Sequence, residues 1–298
     1  MRHRIAVVGL PFFGARVARS LRGEGFRAKY VPHPGRNALA WPGAIRTLLR
    51  ADLVYTIGSS SRKWGPADLM AMAGKSIVMH WAGSDVLDGL KDWEAGRISN
   101  RVLERAVHWT AAPWLGEELK PLGISPEWRP LPMPIKTGES LPLPSTFRVL
   151  VYHGKLPHRA YNIEGMLEVI RALPHIPFVL VGGYQPASVP ENLEVVGWVD
   201  DMKAQYARTS ALLRLVHHDA MSHSVVEALG YGRQVLWNYE VPGVRKVDGA
   251  EDAIRELDAL HAGRDQLQLN ADGIAFAQTF LPERIIPEAA GALRSMLA

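Results

Sequence analysis

Residues 211–239, ALLRLVHHDAMSHSVVEALGYGRQVLWNY, carry the reading on which the fold turns. ALLRLV and QVLWNY are short apolar runs of the kind that form buried strands, and SVVEALGYG between them has helical spacing and ends in glycines that stop a helix. A strand, a helix and a strand joined so closely make one βα unit of a parallel sheet. The polar insert HHDAMSHS then falls at the carboxyl end of the first strand, where open parallel sheets bind their ligands. Three readings of the insert compete: a metal site, a phosphate-binding helix start, and an ordinary capped helix. His217, His218, Asp219 and His223 are metal-ligand residue types, but their spacing fits no standard template and adjacent histidines on a strand end point in opposite directions. No metal is expected. Ser224 and Glu227 have the spacing of a capping box, in which the serine oxygen takes a backbone N–H and the glutamate reaches back. A helix beginning at Ser222 or Ser224 also turns its amides and positive dipole end toward the strand-end crevice, which suits a phosphate.

The pattern extends in both directions. FRVLVYHG, PFVLVGG and LEVVGWV read as strands before this unit, with NIEGMLEVIRAL and DDMKAQYART as helices. Upstream lies RPLPMPIKTGESLPLPS, residues 129–145, whose five prolines exclude a helix or a central strand and read as an extended connector. Before the connector a first series alternates in the same way. RIAVVGL, FRAKYV, DLVYTIG, SIVMHWAG and HWTAAP read as strands, with FGARVARSLRGEGF, LLRA, PADLMAMAG and ISNRVLERA as helical stretches. The expected fold is α/β with two Rossmann-like domains facing each other across a cleft. Their expected bounds are 1–140 and 141–280, and a terminal helix over 281–298, PERIIPEAAGALRSML at its heart, is expected to cross back onto the first domain. Strand ends in that domain bring forward residues 9–14, 58–61 and 80–85 as crevice positions.

Composition narrows the classes. The 298 residues are 47% hydrophobic and 21% charged, a globular balance. No cysteine is present, which removes disulfides, thiolate metal sites and cysteine nucleophiles, and is compatible with a cytoplasmic location. Residues 1–140 hold 20 Lys+Arg against 12 Asp+Glu, whereas residues 141–298 hold 14 against 18. The first fifty alone hold ten basic side chains and one acid, Glu24, so this end could meet an anionic membrane, polymer or phosphorylated acceptor. The start, MRHRIAVVGLPFFGARVA, is not expected to be a signal peptide, since Pro11 breaks the apolar run and no small-x-small site follows. No apolar run reaches the length of a membrane-spanning helix.

Several nucleotide motifs fail. Gly9 and Gly14 have the outer spacing of a P-loop, but Ala15 and Arg16 stand where Lys and Ser/Thr are required. The dinucleotide fingerprint, a nucleophile elbow, an HExxH helix and an Asp-x-Asp metal clamp are all absent. A nucleic-acid partner is not expected, because the basic residues come without an aromatic RNA signature.

One resemblance is specific. The stretch HHDAMSHSVVEALGYGRQVLWNYEVPGV resembles the donor-site signature of retaining glycosyltransferase family 4, in which two acids separated by seven residues precede Ala-hydrophobic-Ala/Gly-x-Gly and a buried strand. VYHGKLPHRAYNIEGMLEVI resembles that family's strand, Gly-Arg-Leu, then Lys-Gly and helix; LEVVGWVDD resembles its nucleobase segment and HWAGSDVL an N-domain loop with a histidine at the donor sugar. The resemblance implies a GT-B fold and a hexosyltransferase-like enzyme that moves a sugar from a nucleotide-diphosphate sugar to an acceptor hydroxyl, with retention and without metal or cofactor. It implies that Lys155 and Arg159 grip the diphosphate, that Asp219 sits near the donor sugar and its phosphate, that His80 meets that sugar, and that Glu227 holds the ribose. Gly154, Gly183, Gly197, Trp198, Val199, Ser222, His223 and Ser224 complete the donor side. The chain departs from the pattern where Asp219 replaces a glutamate, Lys155 replaces an arginine, and Ala220-Met221-Ser222 replace Gly-Phe-Gly.

Cleaving such a donor develops negative charge on the departing phosphate, and each preorganised donor aimed at it is worth about 3 kcal/mol. An inverting enzyme would instead need a base, for which Asp85 or His80 is the candidate. The unknown acceptor, anionic or membrane-associated, would meet Gly14, Arg16 and Ser59, with Arg62 and Lys63 nearby. A peripheral association with the membrane fits such an acceptor. Two alternatives remain open: a nucleotide-sugar-binding protein without turnover, and a sugar epimerase of the same fold.

Overall fold

The computed structural model describes residues 3–33, 35, 37–137, 139–154 and 160–298. The chain divides into two compact units, one made of Met1–Pro134 with Pro282–Ala298 and the other of Ile135–Leu281. The division falls before residue 135 rather than at 140, because Ile135 is buried and the Lys136 backbone N–H bonds Glu227 within the second unit.

The first unit is a six-stranded, wholly parallel sheet of β1 (Arg4–Gly9), β2 (Arg27–Tyr30), β3 (Leu53–Ile57), β4 (Ser76–Trp81), β5 (Val107–Thr110) and the two-residue β6 (Glu127–Trp128). Its order is β2-β1-β3-β4-β5-β6. Every residue of β3, LVYTI, is buried, as a parallel strand covered on both faces requires. Helices α1 (Pro11–Gly23), α2 (Trp41–Arg50), α3 (Pro66–Met72), α4 (Ser84–Glu94), α5 (Asn100–Arg105) and α6 (Pro113–Glu118) connect the strands. Proline opens α1, α3 and α6, where its missing N–H has no intrahelical partner to lose.

The second unit is also parallel throughout. Its strands are β7 (Val149–His153), β8 (Phe178–Gly182), β9 (Leu193–Gly197), β10 (Ala211–Arg214), β11 (Gln234–Trp237) and β12 (Val244–Lys246), in the order β12-β11-β10-β7-β8-β9. The helices are α7 (Ile163–Ala172), α8 (Met202–Ala207), α9 (His223–Gly230), α10 (Ala250–Ala262) and α11 (Ala271–Gln278). Val149, Val151, Leu213, Leu236, Phe178 and Leu180 from the sheet share one buried cluster with α7 and α10. Each such side chain removed from water contributes about 2 kcal/mol. The chain then returns to the first unit as α12 (Pro282–Leu297), where the Arg294 guanidinium donates to the Glu24 carbonyl at 2.7 Å and lies over the Phe26 ring.

Two glycines are required by geometry. Gly9 ends β1 at φ +109°, and a Cβ there would stand 1.9 Å from the Ile57 carbonyl oxygen. Gly182 ends β8 at φ +108°, and its Cβ would stand 2.0 Å from the His153 carbonyl oxygen. Both let a strand end close against its neighbour at the edge where the loops begin.

Candidate functional site

In an open parallel sheet the crevice lies at the carboxyl edge, where successive connections leave in opposite directions. In the second unit that reversal falls between β7 and β10. His153 ends β7 and Gly154 follows it on one side, and Arg214 ends β10 on the other. The same edge carries Gly183 after β8 and Gly197, Trp198 and Val199 at and after β9. The chain from Arg214 through Asp219 leads directly into the N-terminus of α9.

Arg214 is the charged residue that the sequence reading passed over. Its Nε donates to Asp219 Oδ2 at 2.6 Å, with the side chains only 8% and 16% exposed, and its guanidinium lies over the Tyr161 ring. The Asp219 carboxylate raises the Arg214 pKa beyond its ordinary value against the burial that lowers it. Asp219 is fixed further by its backbone N–H, which donates to the Tyr239 hydroxyl at 3.1 Å. His153 is buried between Tyr161 and Tyr184, and burial depresses its pKa. Lys155 and Arg159 lie outside the described residues.

The start of α9 corrects the capping-box reading. Ser222 is the N-cap, His223 the first helical residue, and the Ser222 side chain makes no capping bond; the Ser222 and Ser224 hydroxyls instead bond each other at 2.9 Å. Glu227 faces another way. Its Oε2 accepts the Tyr206 hydroxyl at 3.2 Å, and burial raises its pKa against the Tyr206 O–H and Lys136 N–H that lower it. The tyrosine hydroxyl, which also donates to the Ser224 carbonyl, competes successfully for a glutamate one turn into the helix. Trp198 is 68% exposed, and Val199 beside it is half-buried. Among the described residues no group of three His, Cys, Asp or Glu is placed to hold a metal ion.

In the first unit the reversal falls between β1 and β3, so Gly9 and Ser59 flank it. Gly14 is not a crevice residue. It lies inside α1, buried, where a Cβ would meet the Tyr30 ring at 2.5 Å; its small size lets that ring in, and the Tyr30 hydroxyl donates to the Gly9 carbonyl at 3.0 Å. Arg16 is folded back on its own helix, donating to the Phe12 carbonyl with its guanidinium over the Phe12 ring. Arg62 is paired with Asp92 at 2.5 Å, and Lys63 donates to the Gly96 carbonyl.

His80 is enclosed in the sheet, 1% exposed. Nε2–H donates to the Arg129 carbonyl at 2.9 Å, which leaves Nδ1 to accept the Tyr55 hydroxyl at 2.5 Å. Burial pushes its pKa down to about 3, so the ring is neutral and both nitrogens are engaged inside the unit. As placed, it offers no atom to a sugar. Asp85 lies in the first turn of α4, where its carboxylate accepts the Ala82 N–H at 3.0 and 3.2 Å. Burial pushes its pKa up to about 7 against the backbone amides that pull it down, which is the range of a general base.

No protein-family model matches this sequence, and no curated protein does either. Solved structures do match over the whole chain. A sucrose-phosphate synthase from Thermosynechococcus elongatus superposes with a TM-score of 0.70 at 14% identity, covering 99% of both chains. The fold is GT-B. HepE from Anabaena, solved in complex with UDP and glucose, matches at TM-score 0.67 and 11% identity over 99% of this chain and 100% of its own. A glycosyltransferase from Rickettsia africae matches at 0.64 and 12%, covering 99% of both chains.

Proposed function

We propose that this GT-B chain is a nucleotide-sugar-dependent glycosyltransferase whose donor lies at the carboxyl edge of the second unit's sheet. The observation that carries the reading is the reversal of strand order between β7 and β10, which puts Gly154, Arg214, Asp219 and the first turn of α9 on one edge. A helix N-terminus offers amides and a positive field to a pyrophosphate. Arg214 adds a buried cation that is always charged. Glu227, half-buried and held by Tyr206, is assigned the ribose hydroxyls, and the exposed indole of Trp198 with Val199 the nucleobase. Lys155 and Arg159 are assigned the diphosphate on the strength of the family 4 resemblance. That resemblance also motivates retention and a reaction without metal: the acceptor hydroxyl attacks on the face of the departing phosphate, which takes its proton. Asp85, near pH 7 in its titration, is the base if the reaction inverts. We place the activity in the cytoplasm, peripheral to a membrane, with an acceptor that is anionic or membrane-bound.

The Arg214–Asp219 pair favours a second reading. A carboxylate committed to a buried arginine suits a protein that binds a nucleotide sugar without turning it over. Calorimetry with uridine, guanosine and adenosine diphosphates and their sugars separates the two when paired with assays of sugar transfer and release. One base should bind, and Glu227→Ala should weaken it at least about tenfold, as expected where a charge-assisted bond is lost. Turnover supports the enzyme, and binding without turnover over a broad acceptor panel supports the binding protein. Unaltered affinity of Glu227→Ala removes the assigned site.

A further inference from the structure

The helix α2 is unusual in this protein because none of its ten residues is buried. Ala44, Thr47 and Leu48 are half-buried, as the face that packs beside β1 should be. Trp41, Ile45 and Leu49 recur every fourth residue and so form one stripe, and they are 37%, 44% and 47% exposed. Leu39, just before the helix, is 93% exposed. Further apolar exposure follows the strand α2 packs beside, at Leu10 and Phe12. Arg46 and Arg50 are exposed and flank this stripe on the side of the helix away from its half-buried face. The apolar face of α2 is thus wider than the surface it packs against, and the excess stands in water beside arginines.

Charge says what covers it. Among the first fifty residues the single acid is Glu24, and it already bonds Arg294; Asp52, next along the chain, holds Arg4. A second copy of the chain related by two-fold symmetry would set the same arginines against each other with no acid on α2 to answer them. An anionic lipid surface answers both features, taking Trp41, Ile45 and Leu49 to the depth of the acyl boundary and leaving the arginines among the headgroups.

We infer that α2, with Leu39 before it, is a membrane-surface helix that docks the first unit on anionic phospholipid. The inference stands on this surface alone and survives if the donor reading fails. The test is co-sedimentation of the full chain with vesicles of phosphatidylcholine alone and of phosphatidylcholine mixed with phosphatidylglycerol, at low and high salt. Binding is expected to the mixed vesicles only and to weaken with salt. Each of Arg46→Gln and Arg50→Gln should cost about fivefold in partitioning. Ile45→Ser/Leu49→Ser should cost more than about tenfold. These side chains are exposed, so unfolding midpoints and nucleotide affinity should stay as in the parent. Equal binding to both vesicle types, binding to neither, or variants that bind like the parent would each overturn the inference. So would a dimer in solution that the serine variants dissolve, which would give the face to a second copy.

Discussion

Arg214 and Asp219 show how one contact redistributes the roles of a site. Removing one partner of a buried ion pair leaves the other charge uncompensated, whereas replacing both with apolar groups is often close to neutral. Asp219→Ala is therefore expected to destabilise the second unit by about 3 kcal/mol in urea unfolding. Arg214→Leu/Asp219→Leu should recover most of that loss. If Asp219 also serves the donor sugar, the double variant regains stability without regaining transfer. If recovery of stability brings back activity, the aspartate is structural. The acid itself was legible in the sequence through the resemblance to the family 4 donor-site signature. Its partner was not, because Arg214 sits within an apolar strand pattern and nothing local reports that its side chain turns to meet a residue five positions on.

At the scale of elements, the end of β4 and the start of α4 hold two buried groups with opposed titrations. Asp85, raised to about 7 in the fold from an ordinary value of 3.8, keeps a proton that the unfolded chain releases, so its part of the stability falls as pH rises from about 4 to 7. His80, lowered to about 3 from 6.5, lacks a proton that the unfolded chain binds, so its part falls as pH drops below about 6.5. Each slope approaches ~1.4 kcal/mol per pH unit, and between pH ~4 and ~6.5 they oppose. Relative to the parent, Asp85→Asn should gain stability as pH rises through this window, and His80→Gln should gain as pH falls. Denaturant midpoints measured at several pH values check both; flat differences would mean that neither group is held as described. The sequence placed His80 and Asp85 at a strand end but read HWAGSDVL as a loop. A helix begins there because Gly83, at φ +125°, turns the chain and Asp85 accepts the Ala82 amide ahead of the first turn.

At the scale of the whole molecule, Arg233 adds side-chain bonds to the contacts by which the proline-rich connector meets the second unit. Arg233 is fully buried, with no carboxylate partner among the described residues: Nε donates to the Tyr231 carbonyl, Nη1 to that of Thr209, and Nη2 to those of Leu141 and Pro142. Burial lowers its pKa to about 10, still leaving it charged at neutral pH. Two units with separate cores are expected to unfold in two calorimetric transitions. Arg233→Met, which takes this donor from the carbonyls of Thr209, Leu141 and Pro142 while Tyr231 keeps the Leu141 N–H, should lower one of those transitions by about 3 kcal/mol. A nucleoside diphosphate that binds the second unit should raise that same transition, by ~2.7 kcal/mol at a hundredfold excess over its dissociation constant. A ligand that raised the other transition would move the donor site to the first unit.

The sequence by itself determined the architecture. Strand and helix periodicities are local, so RIAVVGL, DLVYTIG, FRVLVYHG and ALLRLV announced β1, β3, β7 and β10, and the prolines after residue 129 marked the break between series. It also determined which loops gather at the carboxyl edges, since in a parallel sheet that follows from order alone. What only the tertiary structure decided is how the polar groups are used. Whether Gly14 lines a crevice or admits the Tyr30 ring, whether Glu227 closes a capping box or accepts the Tyr206 hydroxyl, and whether His80 meets a ligand or bridges Tyr55 and Arg129 depends on residues distant in the chain. A buried donor or acceptor must find a partner wherever the fold brings one. That partner is set by packing, and packing has no signature in the local order of residues.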